Sequence, residues 1–283
     1  VSLIARDDRR PPATRIAVTS GKGGVGKTSL TVNLAVAMSR LGHRVGILDA
    51  DFALGNIDVM LGLTPEDHLG AVLDGVKRVS EITLEGPSGV RVIPAGSGVR
   101  ALAAIDHEKW PRLVEAVDEA SRDLDFLLFD TATGVSDNVL DLIALTDYVL
   151  VVTSFEPAAV VDAYAVIKLV TAGDAAKPIG VVVNAARDAE EGGLVFRQIS
   201  LAADRFLGRT LRYDGHVLED RSVKDSGLAQ MPLVGSDTAG PASRDIRRLA
   251  CRLLSARPFG AGPWPAPPPG GRSSSIVEAP QCA

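Results

Sequence analysis

Short apolar runs alternate with stretches of helical spacing along most of the chain. RIAVTS (15–20), RVGILDA (44–50), VRVIPA (90–95), FLLFD (126–130), YVLVVT (148–153) and PIGVVVN (178–184) predict strands, and LRYDG (211–215) is a weaker candidate. TSLTVNLAVAMSRLG (28–42) predicts a helix, with Leu30, Leu34, Met38 and Leu41 on one face and Gly42 as its stop. A second helix is expected over 157–172. The strands are nearly continuous Val/Ile/Leu runs rather than alternating ones, as in a parallel sheet covered on both faces. Helices between such strands supply right-handed crossovers. The predicted fold class is therefore α/β: one doubly wound, mainly parallel sheet with helices on both faces.

The flanks differ in composition. Residues 1–14 are polar and carry Pro11-Pro12, so a flexible arm is expected there. Residues 258–283 are rich in Pro, Gly and Ser and predict a flexible tail. The globular domain is expected over 15–257. With 46% hydrophobic residues in 283, the chain has ample material for a core. Aromatics are only 4%, which argues against a base-stacking surface, and the net charge of −5 gives no strong signal for nucleic acid. Cys251 and Cys282 have neither metal-ligand spacing nor the numbers for a disulfide framework. No apolar stretch is long enough for a spanning helix, and the N-terminal residues lack a secretory pattern, so a cytoplasmic setting is expected.

Candidate chemistry begins directly after the first strand. GKGGVGKT (21–28) fits G-x-x-x-x-G-K-[ST] between a strand and a helix. In that pattern glycines let backbone N–H groups turn inward on phosphate oxygens, and the new helix N-terminus adds positive potential. Gly21, Lys22, Gly23, Gly24, Val25, Gly26, Lys27, Thr28 and Ser29 are thus the expected phosphate-binding segment of a nucleotide site. Lys27 is placed to neutralise β- and γ-phosphate charge and Thr28 to ligate Mg²⁺. Carboxylates follow two apolar strands: Asp49 and Asp51 after the second, and Asp130 at the end of FLLFD. Ligands of doubly wound sheets bind beyond such strand ends, so these aspartates are candidate metal and catalytic residues.

A second lysine early in the loop makes the motif K-G-G-x-G-K-T, which resembles the deviant Walker A motif of the MinD/ParA ATPases. The resemblance implies a MinD-like P-loop fold, ATP hydrolysed to ADP with Mg²⁺, and a homodimer formed with ATP. It also implies that Lys22 acts in trans on the partner's phosphates, beside Lys27 and Asp51 as catalytic residues. Asp51 would orient or deprotonate the attacking water. Asp49 would support the metal site, and Asp130 would hold Mg²⁺ through water. Gly134 would let the second switch loop move. Asn184 would recognise the adenine edge, with the GHVLED segment (215–220), including Val217 and Leu218, on its other side.

The segments LDADFALGNIDVMLGL (48–63), ITLEGPSGVRVIPAGSG (82–98), DTATGVSDNVL (130–140), EPAAVVDAYAVIK (156–168) and PASRDIRRLA (241–250) resemble the FlhG/FleN (YlxH) branch, which limits flagellar number. That branch implies a slow ATPase and flagellar partners: an FlhF-like GTPase, a C-ring protein or a FleQ-like activator. The alternative is a ParA-type partition ATPase or another cell-pole positioning ATPase. The arm RDDRRPPATR lacks a DQAxxLR-type activation helix, and the end PPPGGRSSSIVEAPQCA cannot form an amphipathic membrane helix. Only SRDIRRLACRLLSAR (243–257) is basic and amphipathic. It is expected to be a last helix packed on the sheet, its second reading being a membrane or effector-docking helix.

Overall fold

The computed structural model describes residues 12–52, 54–96, 109–235 and 240–255. Residues 1–11 of the expected arm and the whole expected tail, 258–283, lie outside the described residues. In chain order the elements are β1 (Thr14–Thr19), α1 (Lys27–Arg40), β2 (Val45–Ala50), α2 (Ile57–Leu61), α3 (Leu69–Leu73), α4 (Val79–Ile82), β3 (Leu84–Glu85) and β4 (Arg91–Ile93). There follow α5 (Trp110–Ser121), β5 (Phe126–Thr131), α6 (Asp137–Ala144), β6 (Tyr148–Thr153), α7 (Pro157–Gly173) and β7 (Ile179–Ala186). The series closes with α8 (Ala189–Leu207), β8 (Arg212–Leu218), α9 (Arg221–Leu228) and α10 (Pro241–Ser255).

The sheet order is β3-β4-β2-β5-β1-β6-β7-β8, and every pairing is parallel except the β3–β4 edge. All six residues of β2, of β5 and of β6 are buried, as expected for central strands covered on both faces. Side chains alternate between two layers. Ile16, Val18, Ile47, Phe126, Leu128 and Leu150 face a core shared with α1 and α10. Leu48, Leu127 and Phe129 face α3, α4 and α5, while Ala17, Val149 and Val181 face α6, α7 and α8. The expected doubly wound α/β architecture is thus present.

Several boundaries differ from expectation. β1 opens at Thr14, with Ala13 buried in the core, so the folded domain starts before residue 15. β8 runs through Leu218, so most of GHVLED is strand rather than loop. Gly215 takes φ +127°, and the pairing of β8 with β7 shifts register beside it. A glycine inside a strand marks such irregularities and reads as a strand end from sequence. On α10, Ile246, Leu249 and Leu253 are buried against β8 and α1, while Arg244, Arg247 and Arg248 face solvent. The apolar face that a membrane-docking reading needs is therefore already covered. No helix among the described residues is long and apolar enough to cross a membrane.

Candidate nucleotide site

The loop 21–28 leaves β1 at the carboxyl edge of the sheet and enters α1. Gly26 caps the helix at φ +86°, a left-handed conformation that costs glycine little. Its missing side chain also leaves room for Asn184, whose Nδ2 donates to the Val25 carbonyl at 2.7 Å; a Cβ on Gly26 would lie 2.3 Å from that nitrogen. No side chain caps the start of α1, and its first turn holds no acidic residue. A Cβ built on Gly23 or Gly24 would meet nothing within 4 Å. An uncapped fourteen-residue helix behind an open glycine loop fits an anion such as a nucleotide phosphate. Val25 is buried beneath the loop, and Thr28 and Ser29 are half-buried in the first turn.

Register brings the two strand-end aspartates together. Asp49 of β2 pairs with Asp130 of β5, and both project from the sheet face that α1 covers, by the same alternation that sends Ile47 and Leu128 there. Lys27 Nζ donates to Asp130 Oδ1 at 2.9 Å. The Thr31 hydroxyl, one turn further along α1, lies 3.0 Å from the same oxygen and 3.0 Å from the Lys27 carbonyl. Asp49 accepts from the backbone N–H of Asp51 at 3.2 Å and of Ile57 at 3.3 Å, so it anchors the loop that carries Asp51. Burial first, and the Asp130 charge second, push the Asp49 carboxyl up to about 7, against those two hydrogen bonds. Asp51 itself is half-buried, and its Oδ1 accepts from Leu54 N at 3.1 Å.

The loop that follows β5 is tied to the segment just after β1, since Gly134 N donates to Ser20 O at 2.9 Å. Lys22 pairs with Glu156, the N-cap residue of α7. Val217 is 2% exposed in the core, and Leu218 is half-buried with its backbone N–H on Asp245 at 3.2 Å. A ligand near this segment would meet β8 mainly through backbone rather than through the Val217 side chain. The loop, Asp49, Asp51, Asp130 and Asn184 therefore surround one end of α1, while Val217 and Leu218 belong to the packed sheet. Sequence reading missed Thr31 and Glu156. For Thr31 a signal existed, because a residue four after Lys27 shares its helix face. Glu156 lies 134 residues from Lys22, and no local pattern reveals that pairing.

A family model described as ParA, NUBPL iron-transfer P-loop NTPase, matches residues 13–191. The chain belongs to this ParA family of P-loop NTPases. Within it, the chain is 37% identical over 268 residues to the antiactivator FleN of Pseudomonas aeruginosa, covering 94% of this chain and 93% of that one. It is 32% identical over 212 residues to the flagellum site-determining protein YlxH of Helicobacter pylori, covering 74% and 71%. Among solved structures, the MinC:MinD cell division protein complex of Aquifex aeolicus aligns with TM-score 0.70 at 29% identity, over 86% of this chain and 96% of that one. The sequence carries no C-x-x-C motif, its two cysteines standing at 251 and 282.

Proposed function

We propose that this protein is an ATP-dependent dimerisation switch that hydrolyses ATP to ADP and regulates flagellar number or placement from the cytoplasm, including the cell pole. The observation that carries this reading is the likeness to FleN across nearly the whole of both chains. The site supports it: an open phosphate loop, an uncapped helix and a lysine held ready on a carboxylate.

On ATP binding, the backbone N–H groups of 22–28 receive the phosphates. Lys27 exchanges Asp130 for β- and γ-phosphate oxygens, so one charged partner replaces another and the buried ammonium is never stranded. Lys22 acts across the dimer on the partner's phosphates, adding charge where it develops in the transition state. Asp51 orients the attacking water, and its loop is fixed by the Asp49 anchor. Asn184 holds the loop and meets the adenine edge with the rest of its amide, beside the Val217 and Leu218 segment. Thr28, Asp49, Asp51 and Asp130 would hold Mg²⁺, whose contribution is neutralisation of phosphate charge. The site suits this: two buried carboxylates stand side by side below an anion cradle. Turnover is slow without a partner, because a switch must outlast its encounter.

The partners proposed are a FleQ-like activator, an FlhF-like GTPase or a C-ring protein. The test is affinity capture from native lysate, with Asp51→Ala protein held in ATP against the same bait without nucleotide. ATP-dependent enrichment of one of these flagellar components is expected. Enrichment of chromosomal DNA or a partition protein, with none of them, would replace this reading by the ParA-type one.

A further inference from the structure

Lys22 is the residue that the proposed switch sends to a second copy, yet in the single chain it already has a partner. Its Nζ donates to a carboxylate oxygen of Glu156. The backbone around this contact is fixed from both sides. A Cβ on Gly21 would lie 2.3 Å from the Asp162 carbonyl oxygen, so the loop abuts α7 closely enough to exclude any side chain there. Ser20 Oγ donates to the Lys22 carbonyl at 3.1 Å, and Ser20 O in turn holds Gly134 N of the second switch loop. On the other side, Glu156 stands at the N-cap of α7 with Pro157 next, and its side chain makes no capping bond to the helix. The carboxylate is thus free of the usual N-cap duty and is spent on Lys22. The side chains are 34% and 67% exposed, which makes the pair exchangeable rather than part of the core.

We propose that Glu156 is a positioning residue for Lys22: a latch in cis that holds the lysine against α7 until a second nucleotide-bound copy offers its phosphates. The inference rests on the in-trans role of Lys22 proposed above. An exposed ion pair changes an equilibrium only a few-fold, so the latch sets the threshold for dimerisation without locking it. Phosphate oxygens of higher charge then win the lysine from a single carboxylate. Because Ser20 links the Lys22 backbone to Gly134, release of Lys22 is felt where the second switch loop begins.

The test uses the full chain with a non-hydrolysable ATP analogue and two readouts. Sedimentation velocity gives the dimer dissociation constant. Reaction of Lys22 with a lysine acylating reagent, followed by mass spectrometry without nucleotide, reports the contact itself. In Glu156→Gln the analogue-driven dimer should tighten about two- to fivefold, and Lys22 should acylate faster. Glu156→Asp, which keeps the charge, should move both readouts back toward wild type. Unchanged Lys22 reactivity in Glu156→Gln, or a dimer no tighter than wild type, overturns the latch while the switch stands. Absence of an analogue-driven dimer in the wild type itself overturns both.

Discussion

Lys27→Met tests the charge arrangement at the site before any nucleotide is added. Methionine keeps an unbranched stem of similar length and removes only the ammonium. The Lys27 and Asp130 side chains are 5% and 2% exposed at 2.9 Å, and Asp49 sits alongside in register. Removing the cation strands a carboxylate next to a second one. Breaking a buried pair from one side costs about 3–5 kcal/mol. The nucleotide-free variant should therefore lose about 3–5 kcal/mol of a stability on the order of 5–15 kcal/mol. Urea unfolding reads this directly: with a slope of about 1–3 kcal/mol per molar, the midpoint moves down by about 1 M or more. Lys27→Met combined with Asp130→Asn should recover most of the loss, because an amide needs no counter-charge and can still accept from Thr31. A single variant within about 0.5 kcal/mol of wild type, the scatter of an ordinary surface substitution, would show that Lys27 does not neutralise Asp130 in the free protein. Lys27 variants used as non-binding controls would also carry this folding defect, which is why nucleotide-free bait is the better control.

Gly180→Ala would place a Cβ 1.9 Å from Asp214 Oδ2 and 2.0 Å from the Tyr148 hydroxyl, splitting a fully buried hydrogen bond of 2.6 Å; a thermal melt should show a loss of about 2–4 kcal/mol, and an unchanged midpoint would contradict it. Asp125 is hydrogen-bonded first of all to the Arg44 side chain, which draws its carboxyl down to about 2 from an ordinary 3.8. Its stabilising contribution, about 1 kcal/mol at this partly exposed pair, is complete above pH 4 and lost as pH falls through 2. The stability gap between wild type and Asp125→Asn should close over that window, and a gap undiminished at pH 2 argues against the pairing. Asn184→Ala removes the 2.7 Å bond to Val25 O and should weaken nucleotide binding about fivefold by calorimetry. Equal loss for ATP and GTP would confine Asn184 to loop support, and loss for ATP alone would assign it the adenine edge.

Much of the fold was legible because the central strands are unbroken apolar runs and the loop motif sits between β1 and α1. What was not legible has particular physical causes. Between 51 and 82 the chain folds into α2, α3 and α4, each of four or five residues, too short for a helical period to register. α8 carries Val195, Ile199 and Ala203 on its buried face, yet Gly192-Gly193 in its early turns weakens the helical signal. β8 hides Asp214, a fully buried charge paired with Arg212 and Tyr148 beside the positive-φ Gly215, so its pattern breaks where the strand continues. At the site, the residue types were readable but not their pairings. Lys27 meets Asp130 across 103 residues, and only the alternation of β5 in register with β2 explains why Asp49 and Asp130 share one face.

In the proposed switch, nucleotide controls association. Sedimentation equilibrium of the Asp51→Ala protein with ATP, with ADP and without nucleotide measures that control as a change in mass. A dimer is expected with ATP and a monomer in the other two conditions, because in the proposed switch Lys22 needs a partner copy that carries the full triphosphate. One and the same mass in all three conditions would contradict it.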